Sequence, residues 1–173
     1  MKDIVYIGCR TTRERNARGK GLKVCEIGED GSLRDKQLLK GLENPSYQCM
    51  DRKREYLYTI YGDRNEASAF RIGRDGSLEN LNTVGHIGKI PVFITVDRTN
   101  RFLYTASLQG GCVNVLRRRK DGRIEEEFPV WWPAYLSFIL PVSPRLRRQY
   151  VQLCIWPPAR PNPIGLRQVF CPV

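Results

Sequence analysis

The sequence has very little histidine and no closely spaced cysteines. Among its 173 residues there is a single histidine, His86, and no two of the six cysteines stand in a CxxC pair. Zinc sites are built from cysteine and histidine clusters at short spacing. The sequence therefore predicts no metal site and no cofactor, and we expect the thiols to be free.

Long apolar segments are also missing. The uncharged stretch 128–144 contains four prolines, and it is shorter than the roughly 20 residues that a membrane-spanning helix needs. Residues 1–9 hold an apolar run too short for a signal-peptide core and no small-residue cleavage site. We therefore expect a cytoplasmic protein with no membrane partner.

Acidic residues are scarce relative to basic ones. The chain has 29 Lys and Arg against 18 Asp and Glu, which gives a formal net charge of +11. Such a charge favours anionic partners, including phosphates, acidic metabolites and nucleic acid. Charge alone does not choose among them.

An internal repeat dominates the first 127 residues. Residues 44–51 and 56–59 return as residues 90–97 and 102–105, an offset of 46 residues. The motif Asp-Gly-Ser-Leu at 30–33 returns at 75–78 and, more loosely, at 121–124, at offsets of 45 and 46. A period in the forties with four extended runs per unit is typical of β-propeller blades.

The repeat predicts an all-β fold made of blades of four antiparallel strands, about three of the seven in a ring. In the middle repeat the strands are expected at 46–51, 55–61, 67–72 and 78–84, with tight hairpins at the three Asp-Gly pairs. Blade 1 is expected from residue 3, blade 2 from about 45 and blade 3 from about 91. The alternative is two duplicated hairpin pairs in an ordinary β-sandwich.

The first blade is predicted to lack its innermost strand. Residues 6–8 align with residues 57–59, which places the start of the chain on the second strand of a blade. In closed propellers the far end of the chain commonly lends the missing strand. We expect that the far end of this chain cannot do so.

Residues 128–173 differ in composition from the repeat region 1–127. They contain no Asp, Glu or Lys, all three tryptophans and nine of the eleven prolines. Prolines at this density interrupt helices and central strands, so we expect an irregular or disordered proline-rich tail outside the propeller. One hypothesis is out-of-frame translation that replaced the rest of a longer propeller, which would make the chain truncated.

Several anchors of the repeat resemble the lactonase family of seven-bladed β-propellers related to 6-phosphogluconolactonase. They are the lead 6–11, the Asn-Pro-Ser and Asp-Gly-Ser-Leu motifs, and the pattern from Gly88 and Pro91 to Asp97 followed by 102–104. The resemblance covers about residues 3–127. It implies a cytoplasmic hydrolase that opens a sugar lactone such as 6-phosphogluconolactone, or a relative that cyclises muconates, with a small lactone or phosphorylated sugar as partner.

The resemblance leaves the catalytic residues unassigned. The family's Gly-Pro-His-Ala-His stretch would fall near residues 133–140, and it is absent there. Ligands of propellers bind where inter-strand connections converge, and arginine suits phosphate or carboxylate capture. The substrate-binding candidates in these connections are Arg10, Arg13, Arg15, Asn44, His86 and Lys89. The alternatives are a solvated basic loop and, for His86, an ordinary exposed loop position.

Three functional interpretations remain at this stage. The first is a lactonase by descent, weakly active or inactive as this chain, and the second is a non-catalytic propeller fragment that acts as a binding or assembly module. The third is an incomplete product with no function. Nucleic acid is not an expected partner, because the basic loop at residues 10–20 lacks interleaved aromatic residues. Self-association through exposed blade faces is expected.

Overall fold

The computed structural model describes residues 3–125, together with the backbone of three later strands. The strands are β1 (Asp3–Gly8), β2 (Leu22–Ile27), β3 (Leu33–Leu39), β4 (Pro45–Met50), β5 (Tyr56–Tyr61), β6 (Ala67–Ile72), β7 (Leu78–Val84), β8 (Pro91–Val96), β9 (Phe102–Ser107), β10 (Cys112–Arg117), β11 (Val130–Pro133), β12 (Val151–Trp156) and β13 (Phe170–Cys171). The helical structure in this part of the chain is one 3-10 turn, Arg13–Arg15. None of its helices is long and apolar enough to cross a membrane.

The strands form three antiparallel sheets that lie side by side. Blade 1 has the order β13-β12-β1-β2-β3, blade 2 has β4-β5-β6-β7, and blade 3 has β8-β9-β10-β11. The innermost strand of blade 2, β4, contacts both β12 and β8, the corresponding strands of its neighbours. The all-β propeller prediction is therefore confirmed, because three successive sheets adjoin through their innermost strands, whereas a sandwich consists of two sheets.

The predicted strands and hairpins of the repeat are present. The four strands of blade 2 begin and end within one residue of the predicted bounds. Gly31, Gly76 and Gly122 have φ of 78°, 82° and 88°, a left-handed conformation that glycine adopts without steric cost. The Asp-Gly spacing thus marks the connection between the third and fourth strand of each blade.

The innermost strand of blade 1 corrects one expectation. β12 pairs antiparallel with β1, with Ile4 opposite Trp156 and Ile7 opposite Leu153, so the far end of the chain does supply this strand. Residues 151–156 contain no proline and can satisfy the unpaired backbone groups along the edge of β1. The high proline content of the tail as a whole concealed this short segment.

A second correction concerns the alignment of the first two blades. Tyr6 lies opposite Val24 in β2, and Tyr58 lies opposite Ala69 in β6. Both phenols donate to the carbonyl of an Asp-Gly glycine in the next blade, Tyr6 to Gly76 at 2.9 Å and Tyr58 to Gly122 at 2.8 Å. Tyr6 is therefore equivalent to Tyr58, one residue from the predicted alignment with Leu57.

Each pair of neighbouring blades shares an apolar cluster. Between blades 1 and 2 the cluster contains Ile4, Tyr6, Leu22, Val24, Leu57, Phe70 and Leu78. The cluster between blades 2 and 3 centres on Tyr58, Ile60, Ile94 and Leu103. Burying one such side chain contributes about 1.5–3 kcal/mol, so the blades stabilise one another rather than folding as separate sheets.

A side-chain amide clamp accompanies each cluster. Gln37 of β3 donates to the Leu78 carbonyl at 2.9 Å and accepts from the Leu78 amide at 2.7 Å. Asn82 of β7 makes the same two bonds to Ile124, at 2.8 and 3.1 Å. The contact between successive blades is therefore itself repeated along the chain.

The expected irregular tail lies largely outside the described residues. Within 128–173 the structure describes the backbone of β11, β12 and β13, of which β11 is the fourth strand of blade 3. A domain boundary at residue 127 stays a prediction.

Candidate functional site

Five connections between strands lie together at one end of the blades, and we call this surface the loop face. They join β1 to β2, β3 to β4, β5 to β6, β7 to β8 and β9 to β10. In an antiparallel meander every second connection emerges at the same end. Neighbouring connections are hydrogen-bonded, as when the Ile87 amide donates to the Asn65 carbonyl at 3.1 Å and the Gln109 amide to the Lys89 carbonyl at 3.2 Å.

Asn44 fastens the first connection, residues 9–21, to blade 2. The residue is 2 % exposed and has a left-handed φ of 49°, which asparagine tolerates better than most residues. Its Oδ1 accepts from the amides of Thr11 at 2.7 Å and Thr12 at 3.2 Å, and its Nδ2 donates to Asp63 Oδ2 at 2.6 Å. Asn44 therefore positions the basic loop, rather than presenting a free amide.

Arg15 is committed to an ion pair with Asp63 of the β5–β6 connection. Its Nε donates to Asp63 Oδ2 at 3.2 Å, and its Nη2 contacts Oδ1. The hydrogen bond from Arg15 holds the pKa of the Asp63 carboxyl below its usual value, so this carboxylate is ionised at neutral pH. The ion pair is a second contact that holds the basic loop against blade 2. A role of Arg15 in substrate binding stays a prediction.

Arg10 and Arg13 make no direct ion pair, although the nearby charge of Arg10 helps Arg15 to lower the pKa of the Asp63 carboxyl. Arg10 is half-buried and Arg13 is exposed, and no hydrogen bond or ion pair to either side chain is found among the described residues. Arg18 and Lys20 of the same connection are exposed in the same way. The first connection thus carries several exposed basic side chains, and Asn44 and Asp63 hold its backbone in place.

His86 and Lys89 lie in the β7–β8 connection. His86 is exposed and has a left-handed φ of 61°, and Lys89 is exposed while its carbonyl accepts from the Gly110 amide at 3.3 Å. Within residues 3–125 no hydrogen bond or ion pair joins these two side chains to the Asn44 network. The structure therefore brings Arg15 and Asn44 together through Asp63 and leaves His86 and Lys89 on a neighbouring connection.

Sequence reasoning missed Asp63, Thr11 and Thr12. The signal for Asp63 was its position two residues after the end of the aromatic strand β5, in the connection to β6. The two threonines act through their backbone amides and hydroxyls, and no spacing in the sequence indicates such contacts. Among the described residues no group of three His, Cys, Asp or Glu side chains is placed to hold a metal ion.

A second basic surface lies at the opposite end of blade 3. A cavity of about 510 Å³ is bordered there by the basic segment 117–120. Arg117 lies 3.6 Å from Glu125, and Arg119 lies 3.8 Å from Asp121. Because acidic partners already face these two guanidinium groups, the loop face is the better candidate for an anionic small molecule.

Comparisons with known proteins agree with this architecture. The family model of the lactonases, described as seven-bladed β-propellers, matches residues 4–132. The 6-phosphogluconolactonase of Bacillus subtilis is 28 % identical over 128 residues, a match covering 72 % of this chain and 36 % of that protein. The chain therefore spans about a third of the length of this curated relative.

Solved structures share the fold. The periplasmic gluconolactonase of Pseudomonas aeruginosa superposes with a TM-score of 0.63 at 22 % identity, over 72 % of this chain and 37 % of that one. A Bacteroides uniformis protein is provisionally assigned as a 6-phosphogluconolactonase. It superposes with a TM-score of 0.65 at 22 % identity, over 97 % of this chain and 54 % of that one. At this identity the likeness establishes the fold alone.

Proposed function

Because the chain belongs to the lactonase family of seven-bladed β-propellers, we propose that it serves in the hydrolysis of a sugar lactone of the 6-phosphogluconolactone type. The loop face is the proposed substrate-binding surface. The observation that carries this assignment is the basic connection 9–21, in which Arg10 and Arg13 make no direct ion pair while Asn44 and Asp63 hold the loop.

The chemistry of the substrate fits these groups. Opening a lactone requires an activated water and a cation or hydrogen-bond donor for the oxyanion that develops on the carbonyl oxygen. A guanidinium can bind a phosphate or the product carboxylate through two parallel hydrogen bonds. Arg10 and Arg13 would anchor the phosphate, and Lys89 and His86 would face the ring from the β7–β8 connection.

Binding and turnover are separate questions for this chain. The family's histidine-bearing stretch is absent from the sequence, and a complete ring of seven such repeats needs roughly 320 residues. We therefore expect little hydrolysis of 6-phosphogluconolactone above the spontaneous rate. A non-catalytic binding module is the second candidate function, because the basic connection 9–21 is present while the family's histidine-bearing stretch is absent.

Calorimetry with 6-phosphogluconate, the stable product, tests the proposed surface. We expect binding that weakens at least tenfold in the Arg10→Ala, Arg13→Ala double variant and is lost with unphosphorylated gluconate. Arg74→Ala is the matched control, because Arg74 is exposed in the Gly73–Ser77 turn at the opposite end of blade 2. Equal affinity in the loop variant and the control would refute the loop-face assignment.

A coupled assay of lactone opening separates the two candidate functions. Turnover of about 10 per second, typical of an enzyme, would establish a lactonase and contradict the expected low activity. Product binding without turnover would support the binding module. Cytoplasmic location and the absence of a nucleic-acid partner stay predictions of the sequence.

A further inference from the structure

The end of blades 2 and 3 that lies opposite the loop face is strongly basic. It consists of the β4–β5 connection (51–55), the β8–β9 connection (97–101) and the segment 117–125 at the end of β10, and we call it the basic end. These residues include ten Lys and Arg against five Asp and Glu. The formal excess of five positive charges is nearly half of the net charge of the whole chain, +11.

Hydrogen bonds join the three parts of the basic end into one surface. The Arg52 amide donates to Asn100 Oδ1 at 3.0 Å, and Arg52 Nε donates to the Asp97 carbonyl at 3.3 Å. The Arg118 amide donates to the Arg101 carbonyl at 2.7 Å. Cations from blades 2 and 3 therefore lie next to one another on connections that hold each other in place.

The protein itself engages two of the three acidic residues in the two connections. Asp51 is buried and pairs with Arg118, and Asp97 Oδ1 accepts from the amides of Arg101 and Phe102 at 2.8 Å each. The exposed basic residues of this surface that make no direct ion pair within residues 3–125 are Arg52, Lys53, Arg54, Arg98, Arg101 and Lys120.

The backbone of Arg54 indicates that positive charge is needed at this position. Arg54 has a left-handed φ of 60°, the same value as Asn100, its equivalent in blade 3. Asparagine tolerates this conformation and glycine adopts it without steric cost, whereas most other side chains destabilise it. The Arg54 amide donates to the Asp51 carbonyl at 3.0 Å, and no hydrogen bond of its guanidinium is found within residues 3–125. The turn thus does not explain an arginine here, whereas contact with an anion does.

The surroundings of the basic end disfavour nucleic acid and membranes as its partner. The two aromatic rings beside it are covered by guanidinium groups, with Arg101 at 5.4 Å from the centre of the Phe102 ring and Arg118 at 4.9 Å from that of Tyr56. None of the exposed large apolar side chains of the described residues lies in its three parts. The surface therefore offers no ring on which bases could stack and no apolar group that could enter a bilayer.

Carboxylates already contact this surface. Arg117 lies 3.6 Å from Glu125, and Arg119 lies 3.8 Å from Asp121. A guanidinium can bind a carboxylate through two parallel hydrogen bonds, but both of these pairs are longer than a hydrogen bond. Carboxylates on a polypeptide thus fit the basic end, and the chain's own acidic residues leave most of its cations without a partner.

We propose that the basic end binds an acidic polypeptide segment, rich in Asp and Glu, of a partner protein. The cations lie along three successive parts of two blades, which an extended chain of carboxylates can follow, whereas a small anion would contact only one part. Complementary charge of this kind directs association and makes it depend on salt.

The proposal is independent of the lactone function. The substrate is assigned to the loop face, at the other end of the blades, so either assignment can fail without the other. Saturating 6-phosphogluconate should therefore not displace an acidic polypeptide from the basic end, and displacement would contradict the proposed location.

Fluorescence anisotropy with fluorescein-labelled poly-L-glutamate and the full chain tests the proposal. We expect saturable binding that weakens as salt is added, because salt screens surface charges. The triple variant Arg52→Gln, Lys53→Gln, Arg54→Asn should raise the dissociation constant at least about tenfold. The matched control Arg18→Gln, Lys20→Gln, Lys40→Gln removes the same number of charges from exposed positions of the loop face, and it should change the constant less than about twofold.

Four outcomes would overturn the proposal. Equal weakening in the two triple variants would show attraction by net charge alone, and the absence of binding to poly-L-glutamate would remove its basis. Tighter binding of labelled oligouridylate or of phosphatidylglycerol vesicles would contradict a polypeptide partner. If the triple variant fails to fold, Arg54→Asn decides, because asparagine suits the left-handed turn. This variant should weaken binding about threefold, and unchanged affinity would refute the proposal.

Discussion

Arg118 of blade 3 and Asp51 of blade 2 form an ion pair with almost no access to solvent. Their side chains are 7 % and 0 % exposed, and Arg118 Nη2 lies 3.4 Å from Asp51 Oδ2. Arg118 Nε also donates to the Tyr58 hydroxyl at 2.8 Å, and its guanidinium lies 4.9 Å from the centre of the Tyr56 ring. Burial raises the pKa of Tyr58, which keeps its hydroxyl a donor to Gly122. These contacts join two blades through charge as well as apolar packing.

Replacing Arg118 should destabilise the protein strongly. Arg118→Leu leaves the Asp51 carboxylate buried without its cation, which costs about 3–5 kcal/mol in comparable pairs. We expect the free energy of unfolding in urea to fall by about that amount. Arg117→Leu, which removes a guanidinium with a 66 % exposed side chain, should change it by less than about 0.5 kcal/mol. Similar losses in the two variants would show that the buried pair has no special role.

The amide clamp of Asn82 should contribute measurably to the contact between blades 2 and 3. Asn82→Ala leaves the amide and carbonyl of buried Ile124 without their partners, and an unsatisfied buried group costs about 1–3 kcal/mol. Urea denaturation should show a loss in this range. Asn80→Ala, at an exposed position of the same strand, is the control and should be nearly neutral.

Asn44 should govern the mobility of the basic loop. Asn44→Ala removes the acceptor of the Thr11 and Thr12 amides, so the first connection should open more often. Limited trypsin digestion of the native protein should then cleave after Arg13 and Arg18 about tenfold faster, the change that about 1.4 kcal/mol of local stability produces. Asn65→Ala, in an exposed position of the β5–β6 connection, should leave the rate unchanged. Equal rates in both variants would mean that other contacts hold the loop.

The Asp75 carboxylate should titrate well below its usual range. Hydrogen bonds from the Ser77 hydroxyl and amide, at 2.6 and 3.1 Å, lower its pKa from 3.8 to about 2, with Lys36 adding to the effect. The folded pKa is below the unfolded one, so the stabilisation is present above pH 3.8 and is lost as pH falls towards 2. Carbon NMR of the carboxyl should show this midpoint, Ser77→Ala should raise it, and Ser46→Ala should not. A midpoint near 3.8 in the unmodified protein would contradict the hairpin geometry.

The sequence by itself determined the blade architecture. The offsets of 45 and 46 residues located the strands of blade 2 and the three Asp-Gly hairpins, because strand period and turn chemistry are local properties. The same repeat placed Arg10, Arg13, Arg15, Asn44, His86 and Lys89 in connections of one face. Local pattern was sufficient here, since each blade is a meander of neighbouring strands.

The tertiary structure alone decided which groups touch. Pairing of Asn44 and Arg15 with Asp63, and of Arg118 with Asp51, joins residues that are 19, 48 and 67 positions apart, and no periodicity specifies which side chains meet across a blade contact. The pairing of β12 with β1 is likewise a long-range choice, in which an open sheet edge selects the segment that can satisfy its backbone groups. Spacing thus defined the repeating unit, whereas packing between units assigned each polar side chain its partner.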